Sequence, residues 1–442
     1  MRKVAIIGAA GRDFHVFNMF FRDNSKYRVV AFLMTQIPIP NRRYPQELAG
    51  DLYPNGIPIY TWSDYNELAQ LIRKLGVEEV VLAYSDLLYD EVGHIISAVL
   101  SAGASFRILG PNDTYLNSIR PVLAVLATRT GAGKSTVSRA LVREMTSRGL
   151  KVVAVRHPMP YRDLASSAVE IYSKKEDLAK ITFEEREEYE QYVELGVPVL
   201  AGVDYGRILN RAEELGDVVL WDGGNNDFPF FRPDFVVVAT DARRAGHEVK
   251  SFPGEVNLRM ADVVIITKVG DAKPEDVRAV EDNIKRYNPK ALVVKADLEV
   301  VVDRPEGLRN KKVIVVEDAP TVTHGGLPYG AGYIAAQKYG AQVIDPRPYS
   351  VGSIKELYSK YGHIGPVLPS LGYTEEQKRD LEETIARADV DAIVIGTPAR
   401  IEDVIKITKP IVRVRWELKI VEGPTIRDLV DMFLERVKLK RA

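Results

Sequence analysis

The sequence has no cysteine in its 442 residues, which excludes disulfides and thiolate metal ligands. It has no excess of either charge. Sixty Lys and Arg against 61 Asp and Glu leave a formal net charge of -1, so there is no global basic field for nucleic acid and any anion site must be local. No apolar run approaches the ~20 residues that span a bilayer. The opening "MRKVAIIGAAGRDF" turns polar too soon for a signal peptide. These absences point to a cytoplasmic protein with neither nucleic acid nor membrane as partner. What is present is ordinary globular material, 46% hydrophobic and 27% charged, in a chain long enough for about two to four domains. Abundant Arg, Glu and Lys without Cys hint at a thermophile.

The pattern predicts an α/β fold in three stretches. In residues 1–119, apolar runs at 3–8, 28–34, 78–84 and 105–110 alternate with helical patterns at 14–23, 63–76 and 88–103. Near-continuous Val, Ile and Leu strands separated by helices imply a parallel sheet covered on both faces, here a Rossmann-like N-terminal domain. Residues 120–335 repeat the alternation, with strands at 122–127, 151–155, 217–221, 235–240, 262–267, 291–295 and 312–316. They read as a P-loop NTPase-type parallel sheet, interrupted near 172–195 by a charged insertion of one or two exposed helices, a lid or a solvated embellishment. Residues 336–442 form a C-terminal α/β region.

The chemistry concentrates in "VLAVLATRTGAGKSTVSRALVREM", Val122–Met145. A buried strand runs into a glycine-rich turn and then an amphipathic helix, the order in which backbone N–H groups and a helix N-terminus cradle a phosphate. Thr130, Gly131, Ala132, Gly133, Lys134, Ser135 and Thr136 are the nucleotide-binding candidates. Lys134 would reach the β- and γ-phosphates and Ser135 would ligate Mg²⁺. The strict pattern wants glycine at 128, where Thr128 stands. "DVVLWDGGNND" ends a second strand in Asp222, the candidate second metal ligand, with Asp227 in reserve. In "DVVIITKVGDA", Thr267 and Gly270 replace the Asn and Asp that read guanine, which favours ATP over GTP; Lys268 would pack along the base.

Cationic segments follow several strand ends, the edge where open parallel sheets bind ligands. Arg129 lies in the loop and counts with Lys134 and Asp222 as catalytic. Arg156, His157, Arg243, His247 and Arg259 are candidate contacts for an anionic substrate, Arg being suited to a bidentate phosphate grip. Glu248 beside His247 leaves a His–carboxylate metal site open. His324 sits in "TVTHGGLPYGAG", whose glycines imply a close backbone approach. The first loop, Gly8-x-x-Gly11, is not a full dinucleotide pattern, but Arg12, Asp13 and His15 are placed to add anion contacts, and Arg42 and Arg43 could join them.

Taken together, "IIGAAGRDFHVFN", "TRTGAGKST", "DARRAGHE", "SFPGEVNLRMADVVIITK" and "VVEDAPTVTHGGLPYGAG" resemble the archaeal cyclic 2,3-diphosphoglycerate synthetases over essentially the full length. The resemblance implies ATP- and Mg²⁺-dependent closure of an intramolecular phosphoanhydride on 2,3-diphosphoglycerate with release of ADP and phosphate. It also implies a dimer and stimulation by K⁺. The chemistry would be two phosphoryl transfers, catalysed by positioning and charge neutralisation. Two other readings remain: a regulatory or metallocentre-assembly P-loop NTPase of the GTPase-switch kind, and an ATP-dependent enzyme acting on another small acidic metabolite.

Overall fold

A computed structural model describes residues 1–9, 11–35, 42–157, 163–224, 227–323, 326–372 and 374–441. His324 and Gly325 therefore lie outside the described residues. The chain forms two compact units. The first comprises residues 1–171, 198–297 and 420–442; the second comprises 172–197 and 298–419. The units are assembled from non-consecutive stretches, unlike the three consecutive domains expected from the alternation of elements.

The first unit holds two sheets. The N-terminal one consists of β1 (Arg2–Ile7), β2 (Tyr27–Met34), β3 (Ile57–Thr61), β4 (Glu79–Leu82) and β5 (Ser105–Arg107). These run parallel in the order β3-β2-β1-β4-β5, with a short antiparallel strand, Arg43–Tyr44, on the outer edge of β3. β3 escapes the sequence reading because "IPIYT" contains a proline, which argues against a strand inside a sheet. Apolar clusters cover both faces of this sheet, one around Phe14, Phe17 and Phe32 and the other around Leu68, Ile72 and Val99. The helix over Tyr65–Leu75 shows how the local signals set its ends. The Asp64 carboxylate accepts from the N–H groups of Asn66 and Glu67, and Gly76 closes it at φ +62°.

The second sheet contains β6 (Val122–Ala127), β7 (Val152–Arg156), β8 (Val199–Ala201), β9 (Val218–Gly223), β10 (Phe235–Asp241) and β11 (Val263–Thr267), with β12 beginning at Leu292. The order is β8-β7-β9-β6-β10-β11-β12, parallel throughout. Every residue of β6, β7, β9 and β10 is buried, as a strand sandwiched on both faces requires. A two-residue antiparallel ladder, Leu87–Leu88 against Ser251–Phe252, links segments from the two halves of this unit.

The second unit is built on β13 (Lys312–Glu317), flanked by Gln342–Val343, Leu368–Pro369 and β14 (Ala392–Ile395), all parallel to it. The 172–195 segment belongs to this unit and is not an exposed insertion. It forms a 3-10 turn at Lys175–Lys180 and a helix at Phe183–Glu194, in which Phe183, Tyr189 and Tyr192 are almost fully buried. The charges mislead because they are internally satisfied: Glu190 accepts from the Arg400 N–H at 2.9 Å, and Glu187 accepts from the hydroxyls of Thr397 and Ser370 at 2.7 and 3.1 Å.

Candidate functional site

β6 lies in the middle of its sheet, and the segment after it bends through Thr128–Gly133 into the helix Lys134–Ser147. Gly131 and Gly133 take φ of +83° and +90°, the conformation that glycine supplies without strain. Position 128 needs no glycine here. Thr128 extends the ladder, its N–H donating to the Ala239 carbonyl at 3.0 Å, while its hydroxyl bonds that of Thr240 at 3.0 Å. A second glycine requirement arises nearby, since a Cβ on Gly254 would stand 2.1 Å from the Thr128 carbonyl oxygen and 2.1 Å from the Ser251 hydroxyl.

β9 pairs with β6, so Asp222 emerges beside the loop. The Lys134 ammonium donates to Asp222 Oδ1 at 2.7 Å and to the Asp222 carbonyl at 2.5 Å. Ser138, one turn along the same helix face, donates to Oδ1 at 2.7 Å, and Arg156 from the neighbouring β7 pairs with Oδ2. The Asp222 side chain is fully buried. Burial alone would raise its pKa, but Arg156 and Lys134 outweigh it and hold the carboxyl well below the usual range. Burial is the larger influence on Lys134, whose pKa falls to about 8 despite Asp222. The structure thus brings Lys134, Arg156 and Asp222 into one charge cluster at the carboxyl edge of the sheet.

The other cations of this edge also face carboxylates. Arg129 pairs with Asp86 at 3.0 Å, and the Thr130 hydroxyl donates to the same carboxylate at 2.6 Å. Asp241, at the end of β10, receives Arg243 at 3.2 Å, Arg244 at 3.4 Å and Lys268 at 2.7 Å. Burial opposes ionisation of Asp241, yet these partners bring its pKa down to about 2. Lys268 also donates to the Gly131 carbonyl at 2.5 Å, and Arg244 to the Thr130 carbonyl at 2.8 Å, so both brace the loop. Thr267, read as a missing Asn, donates to the Ala132 carbonyl at 2.8 Å.

His247 is partly exposed. Burial and then the nearby Arg129, Arg244 and Lys250 lower its pKa, which marks it as part of this cationic rim. Glu248 turns inward to the Gly246 N–H and to Asn283 rather than joining His247, and among the described residues no group of three or more His, Asp or Glu side chains is arranged to hold a metal. Arg259 is not brought to the loop. Its guanidinium is held by Glu255 at 2.6 Å and lies over the ring of Tyr287. Ser135 occupies the first turn of the helix after the loop. His157, next to Arg156, pairs instead with Asp227 at 2.9 Å.

Sequence reasoning missed Ser138, Asp86, Asp241 and Asp297. Ser138 was accessible in principle, four residues beyond Lys134 on the same helix face. Asp86 follows a strand of the other sheet, and no local pattern ties it to residue 129. Asp297 accepts from the Gly270 N–H at 2.7 Å, placing a carboxylate at the Lys268–Gly270 turn where none is written at position 270.

No family model matches the chain. The arginine synthetase ArcE of Thermococcus kodakarensis is 51% identical over 445 residues, covering all of this chain and 99% of that protein. The cyclic 2,3-diphosphoglycerate synthetase of the same organism is 22% identical over 282 residues, covering 58% of this chain and 64% of that one. A crystal structure of LpxK from Aquifex aeolicus aligns with a TM-score of 0.44 at 13% identity, covering 72% of this chain and 90% of that chain.

The full-length relation to ArcE overturns the expectation of cyclic 2,3-diphosphoglycerate synthesis. The physical reason is in the charges. "TRTGAGKST" forms the turn between β6 and the helix Lys134–Ser147, and "DARRAGHE" follows the end of β10. The arginines expected to grip a bisphosphate face Asp86, Asp222 and Asp241, which offset the positive field a doubly phosphorylated substrate needs. No helix among the described residues is long and apolar enough to cross a membrane. The chain belongs to the family of the arginine synthetase ArcE.

Proposed function

We propose that this protein is an ATP- and Mg²⁺-dependent synthetase that forms arginine. The observation that carries the reading is the 51% identity over the whole chain to a protein of that name, on a frame where Lys134 and Asp222 stand side by side. The turn 128–133 supplies backbone N–H groups toward the β-phosphate, and Lys134 exchanges its bonds to Asp222 for bonds to the β- and γ-phosphates. Arg156 and Ser138 stay with Asp222, so the carboxylate remains oriented when the lysine leaves. The hydroxyl of Ser135 and the carboxylate of Asp222 are hard oxygen donors, a set that suits Mg²⁺, which keeps its remaining positions for phosphate and water. The ion would supply neutralisation of charge on the transferring phosphoryl group. We also read the β3-β2-β1-β4-β5 sheet as Rossmann-like.

The chemistry of a guanidinium fixes the acceptor class. Its carbon bears three nitrogens, so ATP is useful where a carbon–oxygen bond must be exchanged for carbon–nitrogen. A ureido oxygen takes the γ-phosphoryl group: the bond from phosphorus to the β,γ-bridging oxygen breaks, ADP departs, and a phosphorylated isourea forms. Ammonia then adds to the carbon, phosphate leaves with the C–O bonding electrons and the surplus proton of the nitrogen, and the guanidinium remains. Both steps need positioning and exclusion of water more than a nucleophilic side chain.

The test is direct. The protein is incubated with ATP, Mg²⁺, ammonium and an amino acid carrying a side-chain ureido group, and arginine, ADP and phosphate are measured by chromatography and phosphorus NMR. Arginine and ADP in equal amounts are expected. ADP release without arginine, at a rate indifferent to the amino acid, sinks the reading.

A further inference from the structure

The end of β7 serves two sites with adjacent residues. Arg156 turns to Asp222 under the phosphate loop, and His157 turns to Asp227. The His157 ring is tightly enclosed: a Cβ on Gly11 would lie 2.9 Å from its Nδ1, and one on Gly224 would lie 2.6 Å away. The loops after β1 and β9 therefore close on this ring with backbone alone, and Phe230 stacks on it at 5.1 Å. His157 is held facing Asp227.

Asp227 is 4% exposed. Its Oδ2 is the atom that meets His157, while its Oδ1 is buried with no hydrogen-bond partner. Arg12 is equally buried. Its Nη2 donates to the Leu109 carbonyl at 3.1 Å and its guanidinium lies 3.8 Å over the ring of Phe228, the residue after Asp227, yet its Nη1 has no partner. Arg12 and Asp227 attract each other, but no ion pair joins them. Arg42, within electrostatic reach of Asp13, leaves both terminal nitrogens buried and unpartnered. Buried charged atoms with unfilled bonding capacity are costly, and they persist where a ligand or an ordered water completes them.

The arrangement has a chemical signature. One unfilled carboxylate oxygen and three unfilled guanidinium nitrogens, with two arginines balanced by Asp13 and Asp227, suit a zwitterion. A phosphorylated anion would meet two carboxylates there. We propose that Arg12, Arg42 and Asp227 hold the head of the amino-acid acceptor, its α-carboxylate on the guanidinium groups and its α-ammonium on Asp227 Oδ1. The inference rests on the synthetase reading above and names the substrate's binding residues. Because His157 and Arg156 are consecutive, a head held here sets the rest of the molecule beside the phosphate loop.

The experiment is calorimetric titration of the full-length protein with three probes: L-arginine, agmatine, which lacks the carboxylate, and Nα-acetyl-L-arginine, whose ammonium is masked. The wild type should bind L-arginine at least about 10-fold more tightly than either analogue, the scale of a lost charged hydrogen bond. Asp227→Asn should erase most of the discrimination against the acetylated probe, and Arg12→Gln most of that against agmatine, with ATP affinity as the control for folding. Arg42→Gln, at a half-buried position, should act like the Arg12 change if the latter does not fold. Equal binding of the three probes, no binding of any, or variants that weaken all three in parallel overturns the inference. Arginine formation by wild type alongside one of those results sinks the head-group site alone. Selective L-arginine binding without any arginine formation sinks the synthetase reading alone.

Discussion

Replacing Asp222 by alanine is the sharpest perturbation of the charge cluster. The carboxylate is fully buried and meets Lys134 and Ser138 at 2.7 Å each, along with Arg156. Its loss strands two cations whose side chains are only 12% and 7% exposed. Breaking a buried pair by removing one partner costs about 3–5 kcal/mol, or on the order of 10²–10⁴ in the folding equilibrium. The two cations respond differently. Lys134, whose pKa already stands at about 8 with Asp222 present, falls further without it and sheds its proton near neutrality. Arg156 keeps its charge, since a guanidinium does not deprotonate in this range. The cost should therefore settle near the lower limit, about 3 kcal/mol at pH 7. A pH signature follows. Lys134 binds its proton less tightly folded than unfolded, so between its folded and unfolded pKa values the unfolded state holds more protons and stability rises with pH. The deficit of the variant should shrink from pH 7 to pH 9. Urea unfolding followed by tryptophan fluorescence measures this, Trp221 being the buried neighbour of Asp222. A variant within about 1 kcal/mol of wild type, or a deficit that grows toward pH 9, refutes the buried-charge argument.

Lys134→Ala leaves Asp222 paired with Arg156 and Ser138, so it should cost less stability than Asp222→Ala while abolishing ATP turnover; retained ADP release would remove the lysine from the phosphate site. ATP should raise the melting temperature more than GTP at equal concentration, because Thr267 and Gly270 do not offer the usual guanine acceptor; the reverse order would assign base reading to Asp297. In the second unit, Glu317 is buried against the N–H groups of Gly330, Gly332 and Tyr333, and burial raises its pKa to about 7. The folded state then holds more protons than the unfolded one between pH 4.5 and 7, so stability should fall as pH rises through that window, by on the order of 3 kcal/mol in all. Chemical denaturation of wild type and Glu317→Gln at pH 5 and pH 7 checks it: the variant should lose this slope, and an unchanged slope would place the proton elsewhere.

Much of the frame was legible locally. The strand at 122–127 is apolar at every position, and such a run can only be a doubly covered strand or a buried helix; the glycine-rich turn after it decides between them. Asp222 was legible at the end of an apolar run, and Lys134 at the start of the helix that follows the glycine-rich turn. The exposed-helix reading of 172–195 failed because composition reports charge and says nothing of its partners: Glu187 and Glu190 are buried against residues some 200 positions further along the chain.

Periodicity and turn chemistry act over a few residues, so the sequence by itself determined the parallel α/β layering and the position of the glycine-rich turn after β6. Charge pairing acts through space, and only the tertiary structure decided that Arg129 faces Asp86, that Arg243 and Lys268 share Asp241, and that Arg259 stays away from the loop. It also set Arg12 and Asp227, 215 positions apart, as neighbours each with an unfilled valence for hydrogen bonding. Which residues are cations is written in the chain; whether a cation is free to meet a substrate depends on the carboxylate that folding brings against it.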